Sequence, residues 1–321
     1  MLAVFASNLD RNDPLRGLTI GDRPKPSPPD GWTTVTVKAA SLNHHDLWSL
    51  RGVGLSPQRL PMILGCDASG VDADGNEVVV HSVITDQDWR DDETFDPTRS
   101  ILSERYQGTF AEQVTVPRRN VVLKPPQLSF EQAACLPTAW LTAYRMLFTR
   151  ARVVPGMTIL VQGAAGGVAT ALTVLGSAAG IRVWVTARSE EKREQARMLG
   201  ADQAFESGAR LPERVDAVME TVGQATWSHS IRSLKPGGTL VVSGATTGDA
   251  PAAELSRVFF LQLSIVGSTM GTRDELERLV QYCVDRDVRP AIHATLSLDQ
   301  ARQGFESLLH GEVLGKIVFT P

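Results

Sequence analysis

The stretch from Thr158 to Lys192, TILVQGAAGGVATALTVLGSAAGIRVWVTARSEEK, constrains the fold more than any other segment of the chain. A short apolar run from Thr158 to Gln162 leads into a glycine cluster. A small-residue helical segment follows, and a second apolar run ends at Val185. Strand, tight turn, helix and parallel strand in so few residues make a βαβ unit of the dinucleotide-binding kind. Gly163, Gly166 and Gly167 let φ turn positive and let the backbone approach a pyrophosphate, whose charge the N-terminus of the next helix stabilises. Ala164 and Val168 complete the turn, and Ala169 stands in place of the last turn glycine. Glycines also punctuate ordinary turns, so the flanking strand and helix carry the inference.

The end of the second apolar run bears on cofactor choice. An Asp or Glu at that point would take the ribose 2′-hydroxyl of NAD. The chain instead reads Thr186, Ala187, Arg188, Ser189 and then Lys192, with no acid before Glu190. Two cations and two hydroxyls suit a 2′-phosphate, so the expected cofactor is NADP(H). The other reading of Arg188 and Lys192 is a solvated helix start.

Beyond this unit, strands are expected at Ala204 to Glu206, Val215 to Glu220, Thr239 to Ser243 and Leu263 to Ser268, separated by roughly helix-length segments. That alternation predicts an α/β fold with a Rossmann doubly wound parallel sheet over residues 125–288. Residues 1–124 read as β-rich, with strand patterns at Thr33 to Lys38, Glu77 to Ser82 and Gly108 to Val116 and a brief helix at Asp46 to Arg51. The tail 289–321 is too short to stand alone and is expected to complete that first, barrel-like domain. From Ser129 the period becomes helical, with Pro137 separating two helices. The segment Asp86 to Arg105 holds seven acidic residues and reads as a solvated excursion.

Charge and cysteine usage exclude other classes. A net charge of −4 offers no footprint for nucleic acid or an anionic membrane surface. Cys66, Cys135 and Cys283 lack CxxC spacing, so neither a disulfide framework nor a thiolate metal site is expected, and a cytoplasmic setting fits. The first residues lack the pattern of a signal peptide.

Several motifs in order identify a likeness: SLNHHDLWSLRG (Ser41 to Gly52), LPMILGCDASG (Leu60 to Gly70), GTFAEQVTVP (Gly108 to Pro117), AACLPTAWLTAYRML (Ala133 to Leu147), VQGAAGGVA (Val161 to Ala169), ARMLGAD (Ala196 to Asp202) and the terminal GKIVFT. With these the chain resembles the medium-chain dehydrogenase/reductase superfamily, and most of all its zinc-independent quinone oxidoreductase branch. The resemblance implies a GroES-like β-barrel domain beside the Rossmann domain, a small-molecule quinone or enone substrate, and a homodimer joined through the strand Leu263 to Ser268. In the zinc alcohol dehydrogenases, three ligands hold a catalytic metal. The matching positions here are Asn43, Cys66 and Thr138, so no metal is expected. His44 and His45 are adjacent and point apart, which favours structural roles.

The resemblance also assigns roles. Asn43, Asp46 and Trp48 match an Asn, an Asp and an aromatic residue at the nicotinamide end. There Asn43 donates to a substrate oxygen or holds the nicotinamide, and Asp46 orients neighbours or relays a proton. Helix capping by Asp46 and core packing by Trp48 are the competing readings. Thr142 matches a cofactor-contacting threonine. Ser243, Gly244 and Ala245 lie at the carboxyl edge of the sheet, Thr269 beside nicotinamide, and Lys316 on the nucleotide-binding side. An apolar substrate pocket is expected from Trp48, Leu55, Tyr106, Met270 and Phe260. A metal-using alcohol dehydrogenase and a catalytically silent nucleotide-binding protein are the alternatives.

Overall fold

The computed structural model describes residues 1–321, which form two compact units: residues 1–141 with 270–321, and residues 142–269. Sequence pattern places the divisions after residues 124 and 288 instead. A pair of helical segments accounts for the difference. Phe130–Ala134 packs on the strands Trp32–Ser41 and Asp67–Val71, and Arg273–Asp285 packs on the turn Leu136–Trp140 and the strand Val121–Leu123.

In the first unit a seven-stranded sheet runs in the order Val121–Leu123, Glu77–Val80, Asp67–Val71, Trp32–Ser41, Lys316–Thr320, Ile292–Ser297, with Gln113–Pro117 also paired to Trp32–Ser41. The strand Trp32–Ser41 organises it. Its first half alternates buried and exposed residues, and its last three residues are all buried. A register slip between Val37 and Ala39 marks the change. The final strand pairs with Ala40 and Ser41, which brings the end of the chain to the start of the helix His44–Leu50. Three rings centre the core: Phe110 meets Phe319 edge-on at 5.0 Å and Phe305 edge-on at 6.2 Å.

Sequence pattern missed the strands Leu2–Ala6, Leu18–Asp22 and Asp67–Val71. The strand expected from Gly108 begins only at Gln113, because Gly108, Thr109 and Phe110 donate their backbone N–H groups to Ile63, Gly65 and Leu64. The acidic segment is more ordered than a plain excursion. Ser100–Ile101 pairs with Val83–Ile84, and the Asp92 and Asp96 carboxylates accept backbone N–H groups within the lobe. Pro137 does not break the chain into separate helices. Beyond Phe130–Ala134 the backbone continues as a wide π-helical turn, Leu136–Trp140.

The second unit is a six-stranded sheet in the order Gln203–Glu206, Arg182–Ala187, Thr158–Gln162, Val215–Glu220, Leu234–Val242, Ser264–Gly267. Every pairing in it is parallel. From Thr158–Gln162 the chain winds outward on one side and then returns to build the other. The carboxyl ends of Thr158–Gln162 and Val215–Glu220 are therefore the topological switch point, where ligands of such sheets bind.

Candidate functional site

The dinucleotide turn lies at that switch point. Gly163 has φ +84°, a conformation that favours glycine, and follows directly on the strand. Gly166 caps the helix Gly167–Ala178, and a Cβ built on it meets nothing within 4 Å. Ala164 is buried beneath the turn, while Gly167 and Val168 open the helix. The space beside Gly166 and the uncapped first turn fit a phosphate group of a dinucleotide.

Two further features distinguish this edge. Ser243 and Ser268 follow the last two strands at neighbouring register positions, since Val242 pairs with Gly267. Both hydroxyls are buried without a hydrogen-bond partner, an arrangement that native proteins seldom leave unused. Gly244 packs so closely that an added Cβ would lie 2.9 Å from the Thr221 carbonyl oxygen, and Ala245 sits against Gly223. Thr269 is exposed just past the last strand, and Thr142 is buried in the helical segment Leu141–Tyr144.

The residues expected at the 2′-phosphate divide into two sets. Arg188 is exposed and carries no ion pair, whereas Arg193 and Arg197 both bind Glu190. Those pairs hold the Glu190 carboxyl below its usual range, the Arg193 hydrogen bond contributing most, and so offset the nearer of the two acids that follow Arg188. Ser189 caps the helix Glu190–Met198, its hydroxyl accepting the Lys192 N–H at 3.3 Å. Thr186 departs from expectation: it is fully buried and faces inward. Its hydroxyl donates to Gln162 Oε1 at 2.7 Å and accepts the Gly163 N–H at 3.4 Å.

Thr186 thereby ends a polar chain that sequence reading missed. Gln162 Nε2 donates to Ser230 Oγ at 2.9 Å, and Ser230 donates to Glu220 Oε2 at 2.6 Å. The Glu220 carboxylate also accepts the backbone N–H groups of Val222 and Gly223. The chain fixes both loops of the switch point from below. Its one sequence signal is a Glu closing the otherwise buried strand Val215–Glu220.

The candidate chemical residues of the first unit converge on Asp67. Asp67 Oδ2 accepts from Ser41 Oγ and from Asn43 Nδ2, each at 2.8 Å, and Oδ1 accepts from Thr138 Oγ1 at 2.5 Å. The Lys316 ammonium donates to the Leu42 carbonyl at 2.7 Å and to Asn43 Oδ1 at 2.5 Å, and lies 3.6 Å from Asp67 Oδ2. Asp67 is fully buried and Lys316 only 2 % exposed, so the pair is desolvated and completed by hydrogen bonds. Thr138, presented by the wide turn Leu136–Trp140, is the half-buried member of the cluster.

This geometry revises three expectations. The Asn43 amide is occupied on both sides, by Asp67 and Lys316, so it has no free donor aimed at a substrate. Asp46 uses both carboxylate oxygens on backbone N–H groups, of Asn43 and of Gly65, each at 2.9 Å. It therefore holds the start of the helix His44–Leu50, and burial pushes its carboxyl up to about 6. Gly65 is required there: with φ +90°, an added Cβ would lie 2.5 Å from the Phe110 ring. Trp48 is half-buried with the Arg51 guanidinium 5.2 Å over its ring. Lys316 is directed into the cluster, not toward open space. Of the expected pocket lining, Leu55 and Met270 are buried, Tyr106 packs on Trp32 at 5.1 Å, and Phe260 is exposed.

The three positions matching zinc ligands do not fit a zinc ion. Asn43 Nδ2 is 3.6 Å and Thr138 Oγ1 3.4 Å from Cys66 Sγ, and only the sulfur is a good zinc ligand. Burial, reinforced by Asp67, pushes the Cys66 thiol well up and disfavours the thiolate that metal binding needs. No group of three His, Cys, Asp or Glu side chains is placed to share an ion. His45 faces Ser103 Oγ at 3.3 Å instead.

Residues 29–126 match the family described as the alcohol dehydrogenase GroES-like domain, and residues 167–285 match the zinc-binding dehydrogenase family. A zinc-type alcohol dehydrogenase-like protein of Schizosaccharomyces pombe is 30% identical, over 90% of each chain. An acryloyl-coenzyme A reductase of Metallosphaera sedula is 27% identical, over 95% of this chain and 97% of its own. The crystal structure of an NAD-dependent alcohol dehydrogenase superposes with a TM-score of 0.92 and 32% identity, covering 100% of both chains. With a GroES-like unit and a parallel dinucleotide-binding sheet joined in one polypeptide, this chain belongs to the medium-chain dehydrogenase/reductase superfamily of nicotinamide-dependent oxidoreductases.

Proposed function

We propose that the protein is an NADPH-dependent reductase of a quinone or an α,β-unsaturated carbonyl compound, acting by direct hydride transfer without a metal. The observation that carries this reading is the Lys316 ammonium, held by Asn43 beside Asp67 among the residues that match zinc ligands. A fixed cation and one buried thiol are a poor metal site and a stable polar support. The relative named acryloyl-coenzyme A reductase supports a conjugated carbonyl as substrate.

Bound NADPH supplies the hydride. In this reading the turn Gly163 to Gly167 binds the pyrophosphate, and Arg188 with Lys192 and the Ser189 cap receives the 2′-phosphate. Ser243 and Ser268 complete their hydrogen bonds on the nicotinamide end. Thr138 takes the substrate-facing role expected of Asn43, since it is the half-buried residue of the cluster and its hydroxyl donates to Asp67. Asn43 and Asp46 hold that surface in place. The sheet edge Ser264–Gly267, with Ile265 41% exposed, supports a homodimer. No helix is long and apolar enough to cross a membrane, and three buried free thiols support a reducing compartment, the cytoplasm.

The test is a parallel titration with NADPH and NADH, followed by turnover on a panel of enones and quinones and by elemental analysis for zinc. Preference for NADPH, oxidation of it by at least one conjugated acceptor, and sub-stoichiometric zinc are expected. One tightly bound zinc per chain, or equal affinity for the two cofactors, would sink the proposal.

A further inference from the structure

We propose that the first unit carries a second ligand site, for an aryl phosphate, in the cavity beside the proline-rich segment 23–31. The cavity holds about 440 Å³ and is lined by Trp32, Tyr106, Arg23, Lys25 and Arg105 among others, with no acidic residue. That volume suits a small molecule. The Trp32 and Tyr106 rings lie 5.1 Å apart and tilted by 52°, so they present an aromatic wall to a flat ring.

The cations are what make this wall a site. Arg105 spends one hydrogen bond on the Thr98 carbonyl, 3.1 Å away. Arg23 lies over the Phe5 ring at 5.3 Å, and its Nε is buried with no hydrogen-bond partner. Lys25 makes no ion pair or hydrogen bond. Asp22, the acid beside Arg23 in the chain, is nearly fully exposed and faces the Met1 ammonium at 3.9 Å. Guanidinium groups match phosphate geometry, and a lysine ammonium adds a point charge beside them.

The larger cavity of the same unit, about 690 Å³, shows the contrast. Its arginines share the lining with Asp91, Asp92, Glu93 and Asp274, and Arg119 is already bound to the Thr85 and Asp86 carbonyls. It has no surplus positive charge to offer. The smaller cavity does, and it is formed wholly by the first unit, so the inference stands apart from the cofactor reading.

Calorimetric titration of the intact protein with phenyl phosphate, in excess NADPH so that the dinucleotide turn does not compete, tests it. Saturable one-to-one binding is expected, with inorganic phosphate and phenol each about tenfold weaker. Lys25→Ala and Arg105→Ala should each weaken phenyl phosphate by about tenfold and leave turnover unchanged. Absence of saturable binding, equal binding of inorganic phosphate, or unaltered affinity in both variants overturns the proposal.

Discussion

The polar cluster around Asp67 and the carboxyl edge of the second unit's sheet are built on opposite plans. Around Asp67 the donors and acceptors close on one another: Ser41, Asn43 and Thr138 bind the carboxylate, and Lys316 binds Asn43. At the carboxyl edge they are left open, in the buried hydroxyls of Ser243 and Ser268, the unpaired Arg188 and the open space beside Gly166. A self-satisfied network gives rigidity, and an unsatisfied one gives affinity to whatever completes it. In the proposed reading the first region positions and the second captures the cofactor.

Breaking the closed region should produce the largest change. Lys316→Met leaves the Asp67 carboxylate buried without its cation, which typically costs about 3–5 kcal/mol, read as a lower urea midpoint. Adding Asp67→Asn removes the stranded charge and should restore some of that loss. If Lys316→Met unfolds at the wild-type midpoint, the cluster is not held by its charges.

A second buried group of the first unit is satisfied in the same way as the Asp67 cluster. His81 is 1% exposed, and its Nε2 donates to the Gly271 carbonyl at 2.9 Å. Burial pushes the imidazole down to about 4 from 6.5, so the folded state holds it neutral. Its contribution to stability is present above pH 6.5 and is lost as pH falls through about 4. Asp46, raised to about 6 from 3.8, acts in the opposite sense, its contribution being lost as pH rises through about 6. The two slopes oppose each other between pH 4 and 6. His81→Gln keeps a donor for Gly271 and should make stability fall with rising pH across that window, a change worth about 3 kcal/mol at its acid end. Denaturation midpoints of both proteins across that range decide it.

The two regions also differed in how far sequence exposed them. The βαβ unit is local, so its turn, helix and strands follow from periodicity and glycine placement over some thirty residues. The Asp67 cluster draws on Ser41, Asn43, Asp67, Thr138 and Lys316, and no spacing rule joins positions so far apart. What was legible was indirect: Asp67 and Lys316 each head a strand that is otherwise nearly all buried, DASGV and KIVFT, and a charge there needs a partner. Thr186 departs from its expected role because sequence shows a hydroxyl at a strand end and not which side of the sheet it faces. Gln162, which claims that hydroxyl, reads only as a polar end to an apolar run.

On the open side, Arg188→Ala should leave the fold intact, because this exposed side chain makes no ion pair. Loss of charge-assisted hydrogen bonds to a 2′-phosphate is worth roughly 10- to 100-fold in NADPH affinity. NADH binding should not move. Fluorescence titration of both cofactors makes the comparison, and equal losses for the two would show that Arg188 does not read the phosphate.

Gly166→Ala should have the smallest effect on stability and is the cleanest probe of what the open region awaits. Gly166 has φ −69° and ψ 161°, ordinary extended backbone, so alanine brings no conformational strain. A Cβ there meets nothing within 4 Å, so it brings no clash either. Only the poorer capping tendency of alanine remains, at no more than about 1 kcal/mol. The methyl group nonetheless enters the space assigned to the pyrophosphate, and NADPH affinity should fall by about tenfold, the equivalent of 1.4 kcal/mol. A stable variant with weakened binding shows that the void is shaped for a ligand, whereas unchanged affinity would place the dinucleotide away from this turn.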